Sequence, residues 1–284
     1  MNGTMVRHEI QFLKTSKSKK KLVWLTDLHL DAADIALTGE FISKLVGLEP
    51  DALLIGGDIC NGYAALLRLK EISSKISCEV YFVLGNHDYY YGSINNIRKM
   101  ATLLTQEIPL LHYLTQSNVI ELSPETALIG DDGWSDGRQG DFLHSTIVLN
   151  DYFLIDELKD LSPLDRLHKL NALGAESAKH LEKLLRLALE KYSQIVLLTH
   201  VPPFVQACMT DGKMSDDNWA PHFVNKSAGE VLLSLMEAHP NNQLLVLCGH
   251  SHEYSDMQIL PNLRVLTGES KLGMPGVQGI IEVD

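Results

Sequence analysis

The chain has 284 residues, 45% of them hydrophobic, so it can bury a substantial core. Its net charge of −12, from 24 Lys+Arg against 36 Asp+Glu, disfavours a broad nucleic-acid footprint, which needs a basic face. No apolar run reaches the roughly 18 residues expected of a membrane-spanning helix. Cys60, Cys78, Cys208 and Cys248 are scattered without paired spacing, and with no N-terminal secretory segment they point to a reducing cytoplasm.

In chain order, the basic run 14–21 reads as a solvated approach to the first strand rather than a nucleic-acid arm. Residues 21–25 form a strand-like run ending in Thr26-Asp27-Leu28-His29, followed by a helical pattern at 35–48. The next run, 52–55, ends in Gly57-Asp58-Ile59-Cys60-Asn61 and precedes a helix at 63–76. A third, 80–84, ends in Gly85-Asn86-His87-Asp88 and leads into a helix at 93–106. A strand at 126–129 is followed by the polar segment Asp131-Asp132-Gly133-Trp134-Ser135-Asp136-Gly137-Arg138. The helix expected at 175–192 carries Ala178, Leu181, Leu184, Leu185 and Ala188 at helical spacing, a core-facing stripe. A strand at 195–198 ends in Thr199-His200, then come the segment 216–223 and a helix at 227–238. The run 244–247 ends in Gly249-His250-Ser251-His252, and 257–260, 263–266 and 277–283 read as strands of a second sheet. The motifs are spread so evenly that a single domain over 1–284 is expected.

The spacing of the first three motifs suits strand-helix-strand units of roughly 30 residues. Parallel strands built in that way bring their C-terminal ends to one edge of the sheet, where α/β proteins place ligands. Asp27, His29, Asp58, Asn86, His200, His250 and His252 would then meet at one rim. Carboxylate, imidazole and amide groups together favour borderline first-row divalent metals. Seven ligands are too many for one tetrahedral ion, whereas two ions sharing one carboxylate account for the number. Such a pair, roughly 3.5–4 Å apart, activates water and clamps phosphoryl oxygens.

Asp58 is the best bridge, since a carboxylate offers two oxygens and offsets the repulsion between dications. Asn86 supplies a neutral oxygen while its amide nitrogen donates elsewhere. On an extended segment His250 and His252 would point the same way and Ser251 away. Taken singly, these motifs are more often turns, caps or solvent-facing histidines than ligands. Five in this order, each at a strand end, are not explained that way. His8, His112, His144, His168, His180 and His239 lack such context, whereas His222 and Arg138 sit in polar segments that could fold over the site as substrate loops.

The five blocks resemble the calcineurin-like metallophosphoesterases, over about residues 21–268. The resemblance implies an α/β four-layer sandwich of two mixed β-sheets flanked by helices. It implies that Asp27, His29, Asp58 and His252 hold one metal, with Asp58 bridging to a second held by Asn86, His200 and His250. His87 would contact the phosphate and assist the leaving oxygen, its ring oriented by Asp88 or Asn61; Asn61 is also a candidate substrate contact. The cofactors expected are two divalent or mixed-valence ions, Mn, Fe or Zn.

The protein serine/threonine phosphatases of this superfamily carry an Arg-Gly pair after the second block, where this chain has Gly62-Tyr63. His200-Val201-Pro202-Pro203 looks more like the phosphodiesterase-type branch. The expected activity is therefore hydrolysis of a small phosphodiester or nucleotide. The alternatives are a phosphomonoesterase or phosphoprotein phosphatase, and, in a different class, a non-catalytic metal-binding scaffold.

Overall fold

A computed structural model describes residues 9–11 and 19–284; His8 and residues 14–18 of the basic run lie outside them. Its strands are β1 (Glu9–Gln11), β2 (Lys20–Leu25), β3 (Ala52–Gly56), β4 (Glu79–Val83), β5 (Leu111–Tyr113), β6 (Ile120–Glu121), β7 (Thr126–Asp131) and β8 (Gln194–Thr199), then β9 (Met209–Thr210), β10 (Lys213–Met214), β11 (Gln243–Cys248), β12 (Ser255–Leu260), β13 (Leu263–Thr267) and β14 (Gly279–Val283). The helices are α1 (Ile35–Gly47), α2 (Ala64–Lys75), α3 (Ile94–Glu107), α4 (Asp151–Leu154), α5 (Pro163–Leu189), α6 (Ala220–Phe223) and α7 (Lys226–Ala238).

Two mixed six-stranded sheets run β1-β14-β2-β3-β4-β5 and β12-β13-β11-β8-β7-β6. Strand alternation assigns each side chain to a layer. Leu22 and Trp24 of β2, Leu54 of β3, Tyr81 and Val83 of β4, Val196 and Leu198 of β8, and Leu245 and Leu247 of β11 fill the space between the sheets. The intervening residues face outward. Val23, Leu53, Ile55, Val80 and Phe82 pack with α1 to α3, and Ile195, Leu197, Leu244 and Val246 pack with α5 and α7. The result is the expected four-layer arrangement of two mixed sheets flanked by helices.

Within each sheet the motif-bearing strands run parallel to one another, β2 to β3 to β4 in one and β8 to β11, with β7 alongside, in the other. Two elements differ from the sequence reading. The strand at the end of the chain joins the first sheet, pairing antiparallel to β2 from Gly279↔Trp24 to Val283↔Lys20, so Ile281 and Val283 complete the inter-sheet layer. Helix α5 begins twelve residues before the expected start. Ser162 caps it by accepting from Asp165 N, with Pro163 in the first turn, a start signal readable in the sequence. Gly174 interrupts the apolar pattern there because the helix passes close to Asp136, whose Cβ lies 2.4 Å from where a glycine substituent would stand. Among the described residues, no helix is long and apolar enough to cross a membrane.

Candidate metal centre

Each motif occupies the loop that leaves a strand at its C-terminal end, and the loops are laced together. Asp27 N donates to Gly57 O at 3.0 Å and His29 N to Asp58 O at 2.9 Å. Gly249 is required by this closeness, since a Cβ there would stand 1.9 Å from Asp27 Oδ2. Asp27, His29, Asp58 and His252 each offer a ligand atom within 4.8 Å of the others. His252 Nε2 lies 3.3 Å from Asp27 Oδ1, and His29 Nε2 lies 3.7 Å from Asp58 Oδ2. On the other side of Asp58, His200 Nε2 stands 3.4 Å from Asp58 Oδ2 and 3.1 Å from Asn86 Oδ1, with the His250 ring 5.0 Å from the His200 ring. Asp58 Oδ1 accepts from His87 N at 2.9 Å. Its Oδ2 is buried and has no hydrogen-bond partner. A buried orphan carboxylate oxygen is costly, and its setting among imidazole nitrogens fits a cation.

The outward polar atoms of His200, His250 and Asn86 are tied off. His200 Nδ1 donates to Gly56 O at 2.9 Å, which turns Nε2 inward. His250 Nε2 donates to His222 O at 3.1 Å, leaving Nδ1 as the nitrogen available to a metal. Asn86 Nδ2 donates to Asp151 Oδ1 at 2.9 Å, and Tyr90 OH donates to the same oxygen, so Asn86 Oδ1 is presented to the site. Such outer partners fix ring orientation and tautomer at metal sites.

Burial works to raise both carboxyl groups, and the imidazoles reverse it. Asp58 is held well below the usual carboxylate range, mainly by His200 and His87, and Asp27 is lowered by its hydrogen bond to His252 and by His200. His200 responds in kind: burial would lower it, but Asp58 raises it to about 10. His250 is pushed down to about 3, first by burial and then by His200.

Of the two partners expected for the His87 ring, Asn61 meets it, its Oδ1 lying 3.1 Å from His87 Nδ1. Asp31, which the sequence reading passed over, fixes the amide: Asn61 Nδ2 donates to Asp31 Oδ2 at 2.7 Å and Asn61 N to Oδ1 at 3.3 Å. His87 Nδ1 is thus the donor, and Nε2 faces the cage, 4.0 Å from Asp58 Oδ2. The catalytic assignment of Asp88 is corrected. Its side chain is fully buried and accepts from the backbone N–H groups of Ile59, Cys60 and Gly85, bracing the second motif against the third. Burial and the nearby Asp58 push it up, to about 8.

Beside the cage lies a cleft of about 370 Å³ bordered by Asp58, Asn86, His87, His250 and His252, and by Tyr90, Val148, Leu149, Trp219 and Phe223. Three expected substrate contacts are not on its walls. Asn61 lies behind His87. Arg138 donates to Ser227 Oγ at 2.7 Å and pairs with Asp136 at 3.5 Å. The 131–136 segment is an internal strut, in which Asp132 accepts from Tyr89, Tyr113, Thr115 and Arg98. The His222 ring is buried against Ser145 and Tyr152; burial lowers it to about 4, and its carbonyl, not its ring, serves the site. His250 and His252 are not extended either: their φ angles of 71° and 61° are left-handed, and Ser251 lines the cleft. Trp219 and Phe223 belong to the segment 216–223 offered in the sequence as a substrate loop, and they do border the cleft although His222 does not; of the other outer residues, Asp31 carried a signal, at two positions beyond His29, and Asp151 depends on how a distant loop folds back.

A family model described as calcineurin-like phosphoesterase matches residues 20–254. A "Transmembrane protein with metallophosphoesterase domain" from Bos taurus is 30% identical over 154 residues, 50% of this chain and 33% of that protein. The chain thus spans about a third of that relative's length. Two solved structures share the fold. The phosphopantetheinyl hydrolase of Mycobacterium tuberculosis matches with a TM-score of 0.60 at 15% identity, covering 90% of each chain. A dimetal phosphatase from Danio rerio matches with a TM-score of 0.57 at 15% identity, covering 89% of this chain and 88% of its own. With five motif loops converging on one cage and the family model spanning most of its length, the chain belongs to the calcineurin-like phosphoesterase family.

Proposed function

We propose that this chain is a binuclear-metal phosphoester hydrolase, acting as one domain on small phosphodiesters or nucleotides. Asp27, His29, Asp58 and His252 hold one ion, and Asp58, Asn86, His200 and His250 hold the other, with manganese, iron or zinc suited to the mixed donors. The observation that carries the reading is Asp58 Oδ2, buried without a hydrogen-bond partner between the two groups of ligands. When bound, the ions supply an activated water and neutralise charge on the phosphoryl oxygens. His87 Nε2 is directed into the same space by Asn61 on its far nitrogen, so that the ring in its imidazolium form offers a proton beside the cage to the departing oxygen. That oriented ring favours an enzyme over a metal-binding scaffold. A cytoplasmic setting belongs to the same reading, supported by four cysteines that are all free thiols.

The test is metal analysis of protein purified without chelator, then manganese-supplemented assays on bis-p-nitrophenyl phosphate, p-nitrophenyl phosphate and cyclic nucleotides. About two equivalents of metal and turnover of the diester ahead of the monoester are expected. Metal-replete protein inert toward every phosphoester would sink the hydrolase reading.

A further inference from the structure

Away from the metal-ligand candidates the cleft is lined by Tyr90, Val148, Leu149, Trp219 and Phe223, with Asn150, Asp151 and Ser251 among them, and Val148, Leu149, Trp219 and Phe223 have no part in the site chemistry above. The Phe223 ring packs at a tilt against the His250 ring at 4.7 Å and Trp219 at a tilt against Phe223 at 5.7 Å, so an aromatic surface starts at the His250 ring and runs outward. Tyr90 lies 4.3 Å from the His87 ring, and Val148, 63% exposed, borders the cleft with Leu149. Among the described residues that line the cleft there is no lysine or arginine, the side chains that clamp additional phosphate groups. At about 370 Å³, the cleft is near the small end of ligand sites, with room for a phosphoryl group and one substituent of ring size.

This wall is held in place. It is built from two loops, and each is bonded to the other: Thr146 N donates to Asn218 Oδ1 at 2.8 Å and Ser145 Oγ to Asn218 O at 2.7 Å. Asp141 N donates to Asp217 O at 2.9 Å, and the buried His222 ring bonds Ser145 of one loop from its place on the other. An apolar surface preorganised next to a charged centre recovers binding energy from an apolar ligand group without ordering costs.

We infer that the phosphodiester this site takes carries an uncharged aromatic or short apolar substituent, seated on Trp219 and Phe223 while the phosphoryl group faces the cage. The inference rests on the hydrolase reading and narrows its substrate class. Its test compares p-nitrophenyl methyl phosphate with p-nitrophenyl phenyl phosphate, which share a leaving group and a single negative charge and differ only in the retained substituent. The phenyl ester should have a kcat/KM about tenfold or more above the methyl ester, in the range that an apolar pocket discriminates. Trp219→Ala and Phe223→Ala should bring that ratio towards one, and Trp219→Phe should keep it.

Calorimetric binding of diphenyl and dimethyl phosphate to the manganese-loaded protein reads the same preference without turnover. A ratio near one in the wild type, with both esters hydrolysed, overturns the seat and leaves the hydrolase reading standing. Tighter binding of diphenyl phosphate by protein that hydrolyses neither ester upholds the seat and removes the hydrolase reading. Equal binding with no turnover overturns both.

Discussion

Replacing Asp31 by alanine removes the group that decides which way the Asn61 amide faces. In the native arrangement the Asp31 carboxylate accepts from Asn61 Nδ2 at 2.7 Å, so the amide oxygen is the atom offered to His87 Nδ1 at 3.1 Å. Turned over, the amide would present N–H to that nitrogen, which must then accept; this favours the neutral ring protonated on Nε2, a far weaker acid than the imidazolium, and opposes the doubly protonated ring that a leaving oxygen needs. A hydrogen bond to a charged group contributes roughly 1.5–3 kcal/mol, and about 1.4 kcal/mol is a factor of ten. Asp31 is exposed and water partly replaces it, so the effect falls near the lower end, about tenfold. Deleting His87 itself sets the ceiling, on the order of 10² to 10⁴.

The assay is kcat/KM for diesters with an alkoxide leaving group against the same diesters with p-nitrophenolate, since only the poor leaving group needs a proton. Asp31→Ala should lose about tenfold on the alkyl substrates and little on the nitrophenyl ones. His87→Ala should show the same pattern at greater amplitude, and Asn61→Asp added to Asp31→Ala should restore activity, because a carboxylate has no donor face to present. Metal content should not change. An equal loss on both classes, or a loss of metal, would show that Asp31 supports the loop and not the ring.

Other outcomes follow from the same contacts. Asp58→Asn should lose both metal equivalents by elemental analysis, because its unpartnered Oδ2 is the atom both ligand groups face; retention of one full equivalent would argue against a bridge. Asp151→Ala frees the Asn86 amide and should weaken one ion about 10- to 100-fold in chelator competition, leaving the other in place; unchanged affinity for both would count against Asn86 as a ligand. Gly249→Ala forces a methyl group against Asp27 Oδ2 and should cost about 2–4 kcal/mol in urea denaturation, and a change under roughly 0.5 kcal/mol would contradict the close approach of the two loops.

What was legible in the sequence follows from what is local. Buried parallel strands are apolar on both faces, so β2, β3, β4, β8 and β11 announce themselves, and a ligand at a strand end is tied to a recognisable run. The partner sheet of a strand is not local. The run at β14 has the same alternation whichever edge it joins, and it goes to β2 because Ile281 and Val283 fill the layer between the sheets. The same limit explains the substrate loops. Arg138 and His222 have the right chemistry in isolation, but Ser227 and Asp136 take the first and Ser145 and Tyr152 the second, through partners up to 89 positions away. The outer supports Asp151, Gly56 O and His222 O are invisible for that reason, two of them being backbone atoms with no residue type to read.

The backbone of the cage separates its members further. Nine non-glycine residues among those described have positive φ, and five of them are Asp27, His29, Asp58, His250 and His252. The left-handed conformation costs on the order of 1–2 kcal/mol per residue, so five together approach the whole net stability of a typical domain. Strain of that size persists only where the surroundings over-determine it. Here they do: Asp27 N and His29 N are bonded to the second motif's carbonyls, Asp27 O accepts from Ser270 Oγ, and His250 N donates to Asp27 Oδ1. All four residues that cluster within 4.8 Å are in this strained set, whereas Asn86, with φ of −64°, His200 and His87 are not. On the proposed reading, every ligand of the first ion position lies on backbone already bent around it, whereas the second combines the bent Asp58 and His250 with Asn86 and His200, side chains turned through their outer hydrogen bonds. On this account, loosening Gly56 O or Asp151 reaches only the second position, while any change that relaxes the Asp27 and Asp58 turns reaches both.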